Sequence, residues 1–172
     1  RFVLDNYSRK QDIPLILISL SEHVGIFKKI SQNPSIVPGI IKESYKALDE
    51  DKMLAEALDI MEVQYKEKMG QIIESYKNAE AGSLGSGDLE KLAMAAVEGK
   101  IDTMMIEAER MIPGRINDMT GKIERGRKDD SGLDDILDDL AEIVMKKKGK
   151  VFVLSSQDMP VGSGAAAIYR YR

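Results

Sequence analysis

Apolar and polar positions alternate along this chain with two different periods, and the change of period marks out its elements. Leu133, Ile136, Leu137, Leu140, Ile143 and Val144 recur at three- and four-residue steps, which places them on one face of a helix running from Leu133 to Lys148. Asp134, Asp135, Asp138 and Asp139 crowd its start, and Lys146, Lys147, Lys148 and Lys150 crowd its end, so the charges complement the helix dipole. Gly149 is expected to stop it as a left-handed cap. Val151 to Leu154 then reads as a strand. A last strand is expected in Ala165-Ala166-Ala167-Ile168-Tyr169-Arg170-Tyr171, opened by Gly162-Ser163-Gly164.

Upstream, Pro14 to Ile18 is a compact, partly β-branched apolar run that fits a strand buried on both faces. A helical stretch follows from Ser21, with Val24, Phe27 and Ile30 on one face, and ends near Asn33-Pro34. Pro34, Pro38 and Gly39 punctuate a connection that holds one short strand around Ile36. From Asp51 to Ala81, Leu54, Leu58, Met61, Tyr65, Met69, Ile72 and Tyr76 step at helical spacing, for roughly 45 Å at 1.5 Å per residue. A helix of that length commonly bridges two domains, so the boundary is expected between Gly39 and Asp51. Gly82 to Gly87 reads as a flexible loop. Asp88 is an expected N-cap for a helix from Leu89 to Val97 that ends at Gly99.

Ile101 to Ala108 is expected as a strand with Ile101, Thr103 and Met105 on one face and Asp102, Met104 and Ile106 on the other. Asn117 to Gly121 is a turn between short extended pieces around Ile116 and Ile123. Glu124 to Asp130 is dense in charge and is expected as an exposed, mobile loop. Because a helix separates the strands at Ile101 and Val151, the two are expected to be parallel, joined by a right-handed crossover.

The bulk properties narrow the classes open to such a chain. The 172 residues hold one good-sized domain, or one domain preceded by part of another. A net charge of -4 argues against broad phosphate neutralisation of the kind general DNA binders use. There is no cysteine, which excludes disulfides, thiolate metal sites and cysteine nucleophiles. The longest apolar run, Ile13 to Leu20, is too short to span a bilayer. A soluble, cytoplasmic protein with neither DNA nor membrane as partner is expected. Its opening on Arg1 further suggests a fragment that lacks an N-terminal portion.

Two sets of ordered stretches carry a family resemblance. Gly87-Asp88-Leu89-Glu90-Lys91-Leu92-Ala93-Met94 through Ile106, together with the closing Ala165 to Tyr171, resembles the C-terminal domain of eukaryotic and archaeal class-1 peptide-chain release factors. Met111-Ile112-Pro113-Gly114-Arg115-Ile116, the run from Leu133 to Glu142, and Met159-Pro160 are similar to the bacterial and archaeal release-factor-like proteins.

The resemblance implies an α/β fold in which residues 48–172 form a mixed, mostly parallel sheet sandwiched by helices, as in kink-turn-binding ribosomal proteins. Residues 1–47 would be the end of a ribonuclease-H-like middle domain. It also implies a role in translation, with the ribosome or tRNA, and by analogy a translational GTPase, as partners. Release factors proper hydrolyse peptidyl-tRNA through a Gly-Gly-Gln loop, and this chain contains no Gly-Gly pair. The expectation is therefore a non-catalytic, ribosome-associated binding module without cofactor. A structured-RNA binder of the kink-turn type is the alternative, and a metal-dependent hydrolase a remote third.

Candidate chemistry is sparse. His23 is the single histidine, with no recognisable nucleophile beside it, and is read as an ordinary surface residue. The acidic cluster Asp129, Asp130, Asp134, Asp135, Asp138 and Asp139 could in principle hold magnesium or calcium, but it lacks the spacing of a calcium loop, and a helix N-terminus already favours carboxylates. Gly162-Ser163-Gly164 opens a strand and not a helix, so it reads as a turn rather than a phosphate cradle. One local basic stretch remains, Arg110, Arg115, Lys122, Arg125, Arg127 and Lys128, as the candidate contact with rRNA or tRNA phosphates. No aromatic is interleaved with it, so base stacking is not indicated.

Overall fold

The computed structural model describes residues 13–44, 49–126 and 134–171. The chain forms two compact units, Arg1–Lys68 and Met69–Arg172. The expected boundary at residues 47 and 48 falls outside the described residues.

In the first unit, β1 (Leu15–Ile18) and β2 (Ile36–Ile41) pair in parallel through Leu15↔Ile36, Leu17↔Ile40 and Ile18↔Ile41. Helix α1 (Ser21–Ile30) connects them. The strand expected around Ile36 is thus present, six residues long and paired. The expectation that β1 is buried on both faces is corrected, since all four of its residues are only half-buried. The apolar face of α1 is likewise largely in water, with Phe27 and Ile30 exposed. Both follow from size, because among the described residues a two-stranded sheet offers too little area to cover a helix face. Helix α2 (Glu50–Ala81) begins in this unit, and the Ile60 side chain lies where a Cβ at Gly39 would stand.

The second unit is built on a four-stranded sheet of order β3–β8–β4–β7, from β3 (Gly85–Ser86), β4 (Ile101–Glu107), β7 (Lys150–Leu154) and β8 (Ala165–Tyr169). β4 and β7 are parallel, with Thr103 opposite Lys150 and Glu107 opposite Leu154, as expected from the intervening helix. The sheet is mixed, but not mostly parallel: β8 runs antiparallel to both β4 and β3. The reason lies in residues 155–164, which hold no helix. A chain leaving β7 without a crossover element can only turn back, and it does so on the far side of β4.

Helices cover both faces. On one, α3 (Leu89–Val97) and α4 (Ile136–Lys146) pack Leu92, Ala93, Ala96, Ile136, Leu137, Leu140 and Val144 against Ile101, Met104, Ala165 and Ala167. On the other, Met69 and Tyr76 from the C-terminal half of α2 meet Met105, Leu154 and Ala166. β4 is therefore buried on both sides. The expected alternation does separate Met105 from Met104 and Ile106. It fails at the start of the strand, where a register shift between Ile101 and Thr103 lets Ile101 join the core of Met104. Ala165, Ala166 and Ala167 are fully buried, and their small side chains allow helices to approach both faces of the last strand.

The ends of the helices follow the expected chemistry with two shifts. Asp88 caps α3 by accepting hydrogen bonds from the N–H groups of Glu90 and Lys91 at 3.0 and 3.2 Å, and Gly99 takes a φ of +71° after it. Helix α4 starts at Ile136 behind the N-cap Asp135, and Leu133 lies outside the described residues. At its end the left-handed residue is Lys148, at φ +63°, and not Gly149. Gly149 is needed for closeness: a Cβ there would stand 2.5 Å from Val144 Cγ1 and 3.0 Å from the Ile101 carbonyl oxygen. Arg170, just beyond β8, donates to the carbonyls of Gly99 and Lys147, both at 3.2 Å, and so ties the C-terminal ends of α3 and α4 together.

Candidate functional site

The basic stretch falls largely on a hairpin of β5 (Gly114–Ile116) and β6 (Ile123–Arg125), paired through Gly114↔Arg125, Arg115↔Glu124 and Ile116↔Ile123. Ile116 and Ile123 point into the core under α3 and α4. Strand alternation then turns Arg115 and Glu124 outward. Glu124 and Arg125, expected in a mobile loop, are strand residues because this pairing holds them.

Two aspartates of the acidic cluster fix the hairpin to α4. Asp135 Oδ1 accepts from Leu137 N at 3.1 Å, capping the helix, and from Ile112 N at 2.9 Å. Asp139 Oδ2 accepts from Ile116 N at 2.8 Å. The adjoining backbone completes the seam, with Gly114 N donating to the Asp134 carbonyl and Ile136 N to the Ile112 carbonyl, each at 3.0 Å. These carboxylates therefore satisfy backbone donors. Among the described residues no group of three or more His, Asp or Glu could hold a metal ion; Asp129 and Asp130 lie outside them.

At the tip, Asn117 Oδ1 accepts from Met119 N and Thr120 N at 3.1 and 3.0 Å. Gly121, at φ +69°, brings the turn onto the backbone of α3 at Ala93 and Met94. The hairpin is thus held on one side by α4 carboxylates and on the other by contact with α3.

The cations of the candidate surface divide into two groups. Arg115, Lys122 and Arg125 are exposed on the hairpin, with Arg125 3.7 Å from Glu90. Arg110 lies elsewhere, in the loop after β4, where it donates to Glu107 at 2.7 Å and flanks Gly164. Hydrogen bonds from Ser156 and Arg110 hold the Glu107 carboxyl below the usual carboxylate range. Arg110 is thus held in an ion pair of its own. Arg127 and Lys128 lie outside the described residues.

The other candidate residues are structural or exposed. His23 is on α1, in solvent, with Nε2 3.8 Å from Glu22. Ser163 Oγ donates to the Ala165 carbonyl at 3.0 Å, and Gly164 takes φ +91°, so Gly162 to Gly164 form a turn into β8. The roles of Asp135, Asp139 and Arg170 as side-chain clamps were not read from the sequence. Their only signal was position, two residues of a helix's first turn and one arginine beyond a strand.

A mixed sheet between helices, with an anchored hairpin presenting cations outward, defines an α/β sandwich module. The family model for bacterial archaeo-eukaryotic release factor family 3 matches residues 3–100, more than half of the chain, and the chain belongs to that family. Its fold is similar to that of the C-terminal domain of a peptide chain release factor from Methanosarcina mazei, at TM-score 0.55 and 15% identity, covering 73% of this chain and 97% of that one. It is also similar to a chain in the structure of ribosome-bound archaeal Pelota and ABCE1, at TM-score 0.63 and 14% identity, covering 98% of this chain and 46% of that one. The chain therefore spans about half the length of this second relative. No curated protein matches it. No helix among the described residues is long and apolar enough to cross a membrane.

Proposed function

We propose that this chain is a non-catalytic, cytoplasmic, ribosome-associated module that docks on rRNA or tRNA phosphates through the β5–β6 hairpin. The observation that carries the reading is the anchoring of that hairpin: Asp135, Asp139 and Gly121 fix its backbone, so Arg115, Lys122 and Arg125 are presented from a rigid support. Preorganised cations lose little entropy on meeting a phosphate. Glu124 and Glu90 beside them moderate the field and suit a local contact within a larger assembly rather than tight free-RNA binding.

Membership of a release-factor family supports a role in translation, and the similarity to a chain from a ribosome-bound assembly supports the ribosome as partner by analogy. The non-catalytic part of the reading rests on the family resemblance. A translational GTPase as second partner, and residues 1–47 as the end of a ribonuclease-H-like domain, rest on the family resemblance alone.

Co-sedimentation of the chain with ribosomes at moderate salt tests the proposal. The chain is expected in the pellet, and Arg115→Glu with Arg125→Glu is expected to release it. The same variant should flatten the slope of log affinity against log salt by roughly 0.7–0.9 for each phosphate it no longer neutralises. A chain that stays in the supernatant at every salt concentration overturns the reading. Tight, specific binding to an isolated kink-turn RNA would favour the structured-RNA alternative.

A further inference from the structure

The second unit carries a basic surface apart from the hairpin, at the end where α3 and α4 finish and β7 begins. Lys147, Lys148 and Lys150 are exposed there, almost consecutive in the chain. The Lys147 side chain lies along Gly99, its Cδ 3.7 Å from where a Cβ on that glycine would stand. Arg170 reaches the same place from the end of β8, its main-chain N–H donating to the Lys100 carbonyl at 2.8 Å. Tyr171 follows it, 52% exposed and close enough to Lys100 for the two to interact electrostatically.

Lysines at a helix C-terminus ordinarily answer the helix dipole. Here another group does so already, because the Arg170 guanidinium donates to the carbonyls of Gly99 and Lys147, at the ends of both helices. The neighbouring charges are also taken up. Lys100 is 2.8 Å from Glu98, Lys146 is 2.6 Å from Glu142, and Asp102 accepts from the Thr103 hydroxyl at 2.9 Å. Among the described residues, no carboxylate forms an ion pair with Lys147, Lys148 or Lys150. Lys148 moreover holds φ +63°, a conformation that favours glycine, so the turn carries a cation where its backbone gains nothing from one. These three lysines concentrate positive charge on a chain of net charge -4, a local field that attracts a polyanion.

We infer that this surface binds single-stranded RNA, with the lysines neutralising successive phosphates and Tyr171 stacking on a base. An exposed aromatic ring beside unpaired cations is the arrangement that holds single strands. The hairpin lacks it, and an acidic peptide would have no use for it. The two surfaces are separate. Arg125 lies by Glu90 in the first turn of α3 and Lys147 by Gly99 beyond its last, roughly 14 Å apart along that helix at 1.5 Å per residue. The choice of RNA as the strand rests on the translational role proposed above; the placement of the lysines and the tyrosine does not.

Fluorescence anisotropy of a labelled adenine-only RNA of about 12 nucleotides, titrated with the full chain, tests this. Binding is expected. Lys147→Gln, Lys148→Gln and Lys150→Gln together should lower the slope of log affinity against log salt by about 2, at roughly 0.7 for each phosphate released. Tyr171→Ala should weaken binding about tenfold and Tyr171→Phe should restore it. All these side chains are exposed, so the circular dichroism of the variants should stay unchanged. Made on top of Arg115→Glu and Arg125→Glu, the lysine and tyrosine changes should have the same effects, which separates this surface from the hairpin. No binding, an affinity indifferent to the lysines or to Tyr171, effects that vanish in the hairpin variant, or equal competition by poly-glutamate of matched charge overturns the proposal.

Discussion

Replacing Gly121 by alanine should loosen the hairpin more than any single exposed substitution on it. Gly121 sits at φ +69°, and a Cβ there would stand 2.7 Å from Met94 Cα, 2.9 Å from Met94 N and 2.9 Å from the Ala93 carbonyl oxygen. These are backbone atoms of α3, which cannot rotate aside as a side chain would. The left-handed conformation costs alanine about 1 kcal/mol. Retreat of the turn from α3 adds about 1–3 kcal/mol of the kind seen for overpacked sites, because Ile116 and Ile123 are drawn partly out of the core. Together that is roughly 2–4 kcal/mol. For a unit of about one hundred residues, where 1 kcal/mol shifts Tm by about 4–8 °C, the melt should fall by at least about 8 °C.

Thermal circular dichroism measures it, with Gly70→Ala as the matched control. Gly70 lies inside α2 with nothing within 4 Å of its would-be Cβ, so alanine there should raise Tm by a few degrees. A Gly121→Ala melt within about 2 °C of the parent would show that the turn does not rest on α3 as described, since the summed cost could not then be real.

Three other outcomes follow from the same packing. Leu137→Asp puts a carboxylate where the side chain is 2% exposed; at several kcal/mol against a total of about 5–15, it should abolish the cooperative melt of the second unit. Asp139→Ala leaves Ile116 N–H without its acceptor, so stability should drop by about 1–3 kcal/mol and exchange of that amide should accelerate, as read by NMR. Burial, then the hydrogen bond to Glu80, raises the Tyr76 phenol above its ordinary value of 10.0. Below that pH the hydroxyl is protonated whether folded or unfolded; above it only the unfolded chain ionises, so stability should decline as pH rises past about 10. Tyr76→Phe should flatten that decline in urea titrations, leaving the smaller part due to Tyr169, which is raised by the same cause.

Legibility in the sequence tracked how completely an element is buried. The stripe of α4 was readable because Ile136, Leu137, Leu140, Ile143 and Val144 all enter one core, so periodicity and packing agree. The caps at Asp88 and Gly99 were readable because short-range chemistry decides them. Along α2 one continuous stripe served two surroundings, buried at Met69 and Tyr76 and exposed at Leu54 and Leu58. Spacing alone cannot separate these, since it reports a face and not what covers it. The direction of β8 was hidden because an alanine run has no sign of orientation; the short return after β7 decided it.

The candidate surface was half legible. Charge density marked Arg115, Lys122 and Arg125, but also Arg110, whose partner Glu107 emerged only in three dimensions. The aspartates looked alike in the sequence. Only their contacts distinguish Asp135 and Asp139, which clamp the hairpin, from exposed Asp134 and Asp138.

Amide hydrogen exchange of the chain alone and with saturating ribosomes tests most directly whether the anchored hairpin is the docking element. Slower exchange with ribosomes at residues 114–125, abolished in the Arg115→Glu, Arg125→Glu variant, is the predicted result. Exchange along the hairpin unchanged by ribosomes that demonstrably bind the chain would contradict it.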